Sequence, residues 1–183
     1  MAKRSRSWYA ILGLLTYGPM SGYDIRQMIE QSIGFFWNES YGQIYPILKT
    51  LAEEGLATVT VEHQDNKPDR KVYAITEEGL AALRQQLTEA PRPMPERNEM
   101  LLHLFFGRHA DHNDLRTMVE NYATEQREML HVYDQVEQRI RSHNHPDLPY
   151  WEITLNNGRH QARAMMAWAE ETLKSLAELK NAD

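Results

Sequence analysis

The stretch Ser40-Tyr41-Gly42-Gln43-Ile44-Tyr45-Pro46-Ile47-Leu48-Lys49-Thr50-Leu51-Ala52-Glu53-Glu54-Gly55-Leu56 decides how this chain folds. Ile44, Ile47, Leu48 and Leu51 recur at helical spacing and predict one apolar stripe. The opposite face carries Gln43, Tyr45, Pro46, Lys49, Thr50 and Glu53. Pro46 constrains the start, because only the first turn of a helix tolerates a missing N–H. A start at Ser40 places Pro46 too deep, so the expected start is near Gly42. Gly55 is the expected left-handed C-cap. Such a helix packs by one side and leaves a polar, aromatic side free.

Upstream, Trp8, Ile11, Leu12 and Leu15 predict a first helix, stopped by Gly18-Pro19. Ser21 has the character of an N-cap, with Asp24 in a capping-box position. Ile25, Met28, Ile29 and Ile33 supply the apolar face of a second helix that ends at Gly34. Downstream, Ala57, Val59 and Val61 alternate with Thr58 and Thr60, the period of a strand, and Val72 to Ile75 is a second β-rich run. The polar stretch from His63 to Asp69 makes them a hairpin with a charged tip. Thr76 caps a fourth helix, with Leu80, Leu83 and Leu87 facing inward. Three helices, a hairpin and a fourth helix in about 90 residues is the winged helix-turn-helix order.

Ala90-Pro91-Arg92-Pro93-Met94-Pro95 is the best boundary in the chain. The expected organisation is a winged helix over 1–90, a linker over 91–96 and a helical domain over 97–183. The fold class is mostly α, with a small β wing. Leu101, Leu102, Leu104, Phe105 and Phe106 open a short apolar helix. Leu115, Val119, Tyr122, Gln126, Met129, Tyr133, Val136 and Ile140 then follow at alternating gaps of four and three, a heptad seam broken once by Gln126. Leu155, Ala162, Met166, Ala169, Leu173 and Leu176 line a last helix. The seam suits either a bundle within one chain or a dimer.

The chain has 183 residues, 42% hydrophobic and 25% charged, enough for a real core. Apolar runs such as Trp8 to Tyr17 are too short to cross a bilayer, and no cleavage site follows the basic start, so the expected location is cytoplasmic. With no cysteine, disulfides and thiolate sites are excluded. The net charge is −6, and neither half is basic: residues 1–90 hold nine Lys/Arg against eleven Asp/Glu. Basic residues nevertheless cluster at Lys3, Arg4 and Arg6 and at Lys67, Arg70 and Lys71. On a winged helix these reach DNA phosphates, while Gln43 suits base hydrogen bonds, Tyr45 base or sugar, and Lys49 phosphate. Net acidity leaves open a different use, a winged helix that binds protein as a co-regulator without an effector ligand.

The residues from Ser40 to Leu56 resemble the recognition-helix signature of the PadR family of bacterial regulators. Tyr73-Ala74-Ile75-Thr76-Glu77-Glu78-Gly79 is similar to that family's second wing strand and fourth-helix start, and Leu14 to Tyr23 to its first turn. Met100 to Phe106 and Arg163 with Trp168-Ala169-Glu170-Glu171 resemble the C-terminal domain of the subgroup with a virulence-activator-type helical region. The wing departs from the pattern: the family often has Gly-Arg-Pro-Arg-Lys, and this chain has Asn66-Lys67-Pro68-Asp69-Arg70-Lys71. The resemblance implies a homodimer on a palindromic operator, usually repressing, and it adds Ser21, Tyr23 and Tyr41 to the expected DNA contacts. It implies dimerisation through Leu115, Val119, Tyr122, Met129, Tyr133, Val136, Ile140, Met166, Trp168 and Leu173. Some members respond to aromatic compounds and others bind no ligand; here Trp8, Phe35, Phe36, Trp37 and Trp168 are the residues suited to such a ligand, or equally to a core.

His109 and His112, with Asp111 and Asp114 nearby, do not complete a metal set, so no metal and no cofactor are expected. His143-Asn144-His145 sits beside Pro146, as a turn would. No nucleophile–base spacing or Gly-rich phosphate loop is present, so an enzyme is not expected.

Overall fold

A computed structural model describes residues 7–37, 40–63, 69–91, 97–142 and 144–180; for Tyr41 and Lys180 only the backbone is described. Lys3, Arg4, Arg6 and Lys67 therefore lie outside the described residues, as does the Tyr41 side chain. The chain divides into two compact units, Met1–Pro93 and Met94–Asp183.

The first unit runs α1 (Trp8–Leu15), β1 (Met20–Ser21), α2 (Gly22–Gln31), a 3-10 turn (Ile33–Phe35), α3 (Tyr41–Glu53), β2 (Ala57–Glu62), β3 (Arg70–Ile75) and α4 (Glu77–Thr88). The strands form an antiparallel sheet in the order β1-β3-β2, with Met20 opposite Tyr73 and Val59 opposite Tyr73 on the other side. Ile11, Leu12 and Leu15 of α1, Ile25 and Ile29 of α2, and Ile44, Leu48 and Leu51 of α3 are fully buried in one cluster. Each such side chain contributes about 1.5–3 kcal/mol relative to exposure, which makes the three-helix junction the anchor of the unit.

The caps follow local chemistry. Ser21 Oγ accepts from the Asp24 N–H, and Thr76 Oγ1 accepts from the Gly79 N–H. Gly55, with φ +74°, turns the chain out of α3 into β2.

The start of α3 differs from the expected Gly42. The helix begins at Tyr41, after Ser40, whose N–H and hydroxyl both donate to Gln43 Oε1 at 3.3 and 3.1 Å. Pro46 therefore lies in the second turn and leaves the Gly42 carbonyl without its usual i+4 donor. The cap at Ser40 and the sealed stripe offset a proline cost of about 3 kcal/mol. Val59 and Val61 are nearly half exposed, because β2 is an edge strand and only Ala57 reaches the core. One further expectation is corrected. Leu87 is exposed, because the last turn of α4 runs past the apolar cluster.

The second unit runs α5 (Glu99–Phe105), a 3-10 turn (Gly107–His109), α6 (His112–Arg141) and α7 (Leu148–Lys180). α6 and α7 are the long elements, and they pack on each other. Leu115, Val119 and Ala123 of α6 meet Ala169 and Leu176 of α7, with Trp168 and Leu173 packed against them. The Tyr122 ring stands edge-on to Trp168 at 6.2 Å. The Tyr133 ring covers Gly158, where a Cβ would meet it at 2.7 Å. α7 thus covers the Leu115, Val119 and Ala123 part of the seam within one chain. Leu115 and Val119, expected at the dimer contact, are buried against α7 within the single chain. Met129, Val136, Ile140 and Met166 are half-buried.

Candidate nucleic-acid interface

α3 is held by Ile44, Ile47, Leu48 and Leu51, all buried, and this fixes which side remains outward. Gln43, Tyr45, Pro46, Lys49, Thr50 and Glu53 are all exposed on that side. Gln43 gives its oxygen to the cap at Ser40, so its amide nitrogen is the group it offers outward. Lys49 Nζ lies 3.6 Å from Glu53 Oε1, an exposed pair worth little, so the ammonium exchanges readily to a phosphate.

Tyr45 is half exposed and lies over the head of α2, where a Cβ on Gly22 would meet its ring at 2.7 Å. Burial, and then the neighbouring Tyr45, hold the Tyr73 phenol above its ordinary range. Tyr23 is exposed, and its hydroxyl accepts from Gln27 Nε2 at 3.0 Å. Ser21, expected among the DNA contacts, is buried and spends its hydroxyl on Asp24. Its place is in the turn that aims α2.

The wing base is also built differently from a free basic loop. Lys71 is exposed, but Arg70 donates to Asp24 Oδ2. Burial raises the Asp24 carboxyl, yet the Ser21 N–H and hydroxyl and the Arg70 guanidinium together hold it below its ordinary value. Asp69, the charge inverted relative to the family wing, lies 3.0 Å from His63 Nδ1 across the base of the hairpin. Neither pairing shows in the sequence, because a cation in a basic cluster reads as free until its partner is placed.

The aromatic residues expected to suit a ligand fall into both units. Trp8 packs against the first core and stands edge-on to Tyr9 at 6.1 Å, and Trp37 lies 5.8 Å from Tyr9 on a tilted plane. Phe35 and Phe36 are exposed. Trp168 belongs to the helical core described above. Among the described residues no group of three or more His, Asp or Glu could hold a metal ion, and no helix is long and apolar enough to cross a membrane.

Residues 11–85 match the transcriptional regulator PadR-like family, and residues 96–177 match the virulence activator alpha C-terminal family. The chain thus carries a PadR-like domain followed by a virulence-activator-type C-terminal domain. The negative transcriptional regulator PadR of Bacillus subtilis is 40% identical over 100 residues, 54% of this chain and 54% of that one. The chain thus spans about half the length of the curated relatives it matches. Structural likeness extends further. Bacillus subtilis PadR in complex with operator DNA superposes at a TM-score of 0.79 and 26% identity, covering 92% of this chain and 98% of that one. The same regulator in complex with p-coumaric acid gives 0.75 at 25%, covering 93% and 98%. The Vibrio cholerae virulence activator AphA gives 0.72 at 25%, covering 94% and 98%. The order of a winged helix followed by a helical unit is therefore shared with these solved regulators.

Proposed function

We propose that this PadR-like chain is a cytoplasmic transcriptional regulator that binds a palindromic operator as a homodimer and represses the genes it controls. One observation carries the reading: the apolar stripe of α3 is sealed, and Gln43, Tyr45 and Lys49 remain exposed together on its other side. That combination offers base-edge, sugar and phosphate contacts from one helix. Tyr23 and Lys71 extend the same contact, as do Lys3, Arg4, Arg6, Tyr41 and Lys67 by their place in the sequence. Repression follows the relative whose description is negative regulation.

In the helical unit, the exposed apolar residues of α5 favour a dimer contact there. Leu101, Leu102, Phe105 and Phe106 are all exposed there, and Phe105 is 81% exposed. An apolar cluster of this kind on a short helix suits a second copy of the chain. A small aromatic acid is the effector class to test. The relative solved with p-coumaric acid motivates it, and Trp8, Tyr9 and Trp37 form an aromatic group in this chain.

Selection of bound duplex from a random pool tests the reading, repeated with aromatic acids present. The expected result is a two-fold-symmetric site whose half-sites are about one or two turns apart. Tyr45→Ala and Lys49→Ala should each weaken binding to it, and Lys49→Ala should lower the salt slope by about one per subunit. No enriched sequence at low salt, or unchanged affinity in both variants, overturns it.

A further inference from the structure

Arg70 sits in a basic cluster, and a charge count makes it a phosphate contact. Its guanidinium is instead paired within the protein, with the side chain 39% exposed. Nη2 donates to Oδ2 of Asp24, near the start of α2 and 46 residues away in sequence. The same oxygen accepts from the Ser21 N–H at 2.8 Å and from the Ser21 hydroxyl at 2.9 Å. One carboxylate oxygen therefore gathers three donors from the β1–α2 turn and from the wing. Arg70 Nε is buried without a hydrogen-bond partner among the described residues, a desolvation cost that an arginine turned to water would avoid. The backbone converges on the same corner, since Ser21 of β1 lies opposite Val72 of β3.

We infer that Arg70 is a positioning residue: Asp24 holds it, and through it the wing, at the head of the helices that face DNA. The inference rests on the DNA-binding reading and deepens it. It carries a consequence opposite in sign to simple electrostatics. Asp24 is a negative charge close to the proposed DNA surface, and a phosphate-contacting Arg70 would be hindered by it. Neutralising Asp24 would then free Arg70 and tighten binding. If Asp24 is the anchor of the wing, neutralising it loosens β3 and weakens binding. Removing either partner has the same effect, and removing both adds little, because the two act as one unit.

The test uses the full chain, its Asp24→Asn, Arg70→Gln and doubly substituted forms, and a duplex enriched from a random pool by the unsubstituted chain. Arg70→Gln leaves the Ser21–Asp24 cap intact and guards against a folding defect in Asp24→Asn, with helicity checked by circular dichroism. Both single variants should bind roughly ten-fold more weakly and the double variant no more weakly than the worse single, a range set by a charge-assisted pair. Amide exchange in the DNA-free protein should quicken along β3 in both. Unchanged or tighter binding by Asp24→Asn overturns the inference, and so does unchanged β3 exchange. If the unsubstituted chain enriches no duplex, the DNA-binding reading fails by itself, and β3 exchange alone decides whether Asp24 anchors the wing.

Discussion

The ring of Tyr45 lies across Gly22 so closely that a Cβ placed there would meet it at 2.7 Å. The first residue of α2 thereby sets the pose of a side chain in the proposed reading face of α3. Gly22→Ala should push the ring outward rather than break the core, because Tyr45 is half exposed. Stability should fall by no more than about 1 kcal/mol while affinity for the selected operator falls about ten-fold. Thermal melts and mobility shifts on the same sample check this, and an unchanged affinity would show that the pose of Tyr45 is irrelevant.

Gly79 and Gly13 make a contrasting pair. A Cβ on Gly79 would meet the Leu56 carbonyl oxygen at 2.0 Å, and backbone cannot yield as a ring can. Gly79→Ala should destabilise the winged-helix unit by about 3 kcal/mol. Gly13 lies inside α1 with nothing within 4 Å of its added Cβ, so Gly13→Ala should stabilise by about 0.5–1 kcal/mol. Urea midpoints of the two variants should shift in opposite directions.

Arg159 of α7 is only 8% exposed and ties α7 to α6, donating to Asp134 Oδ1 at 2.7 Å and Glu137 Oε2 at 2.6 Å. The hydrogen bond from Arg159, against an opposing effect of burial, holds the Glu137 carboxyl below its ordinary value of 4.5. A carboxyl depressed by folding adds stability above its unfolded value, and that stability is lost as pH falls through the folded value. Glu137→Gln should therefore be less stable than the unsubstituted chain at pH 7, and the two should converge as pH falls through the depressed Glu137 value. Denaturant midpoints over a pH series would reveal it; parallel curves would contradict it.

Phe105→Glu places a charge in the apolar face of α5 without touching the α6–α7 core. It should weaken self-association at least ten-fold and leave helicity unchanged, a result read by sedimentation and circular dichroism. A dimer of undiminished affinity would place the contact elsewhere.

The local features were legible in the sequence where one element sufficed to define them. The stripe of α3, the caps at Ser21 and Thr76, and the turn at Gly55 each depend on residues within a few positions, and each is present in the fold. The start of α3 was misplaced because proline's local cost was weighed without the packing that offsets it. The heptad of α6 was visible, but its partner was not.

The order of elements and the apolar stripe of each could be read along the chain, because periodicity and capping are short-range properties. Which groups are already taken depends on the packing of the elements. Arg70 is held by Asp24, Asp69 by His63, and part of the α6 seam by α7, while Phe105 is left uncovered. Pairings between residues distant in sequence depend on how the elements pack, and spacing along the chain carries no record of that packing.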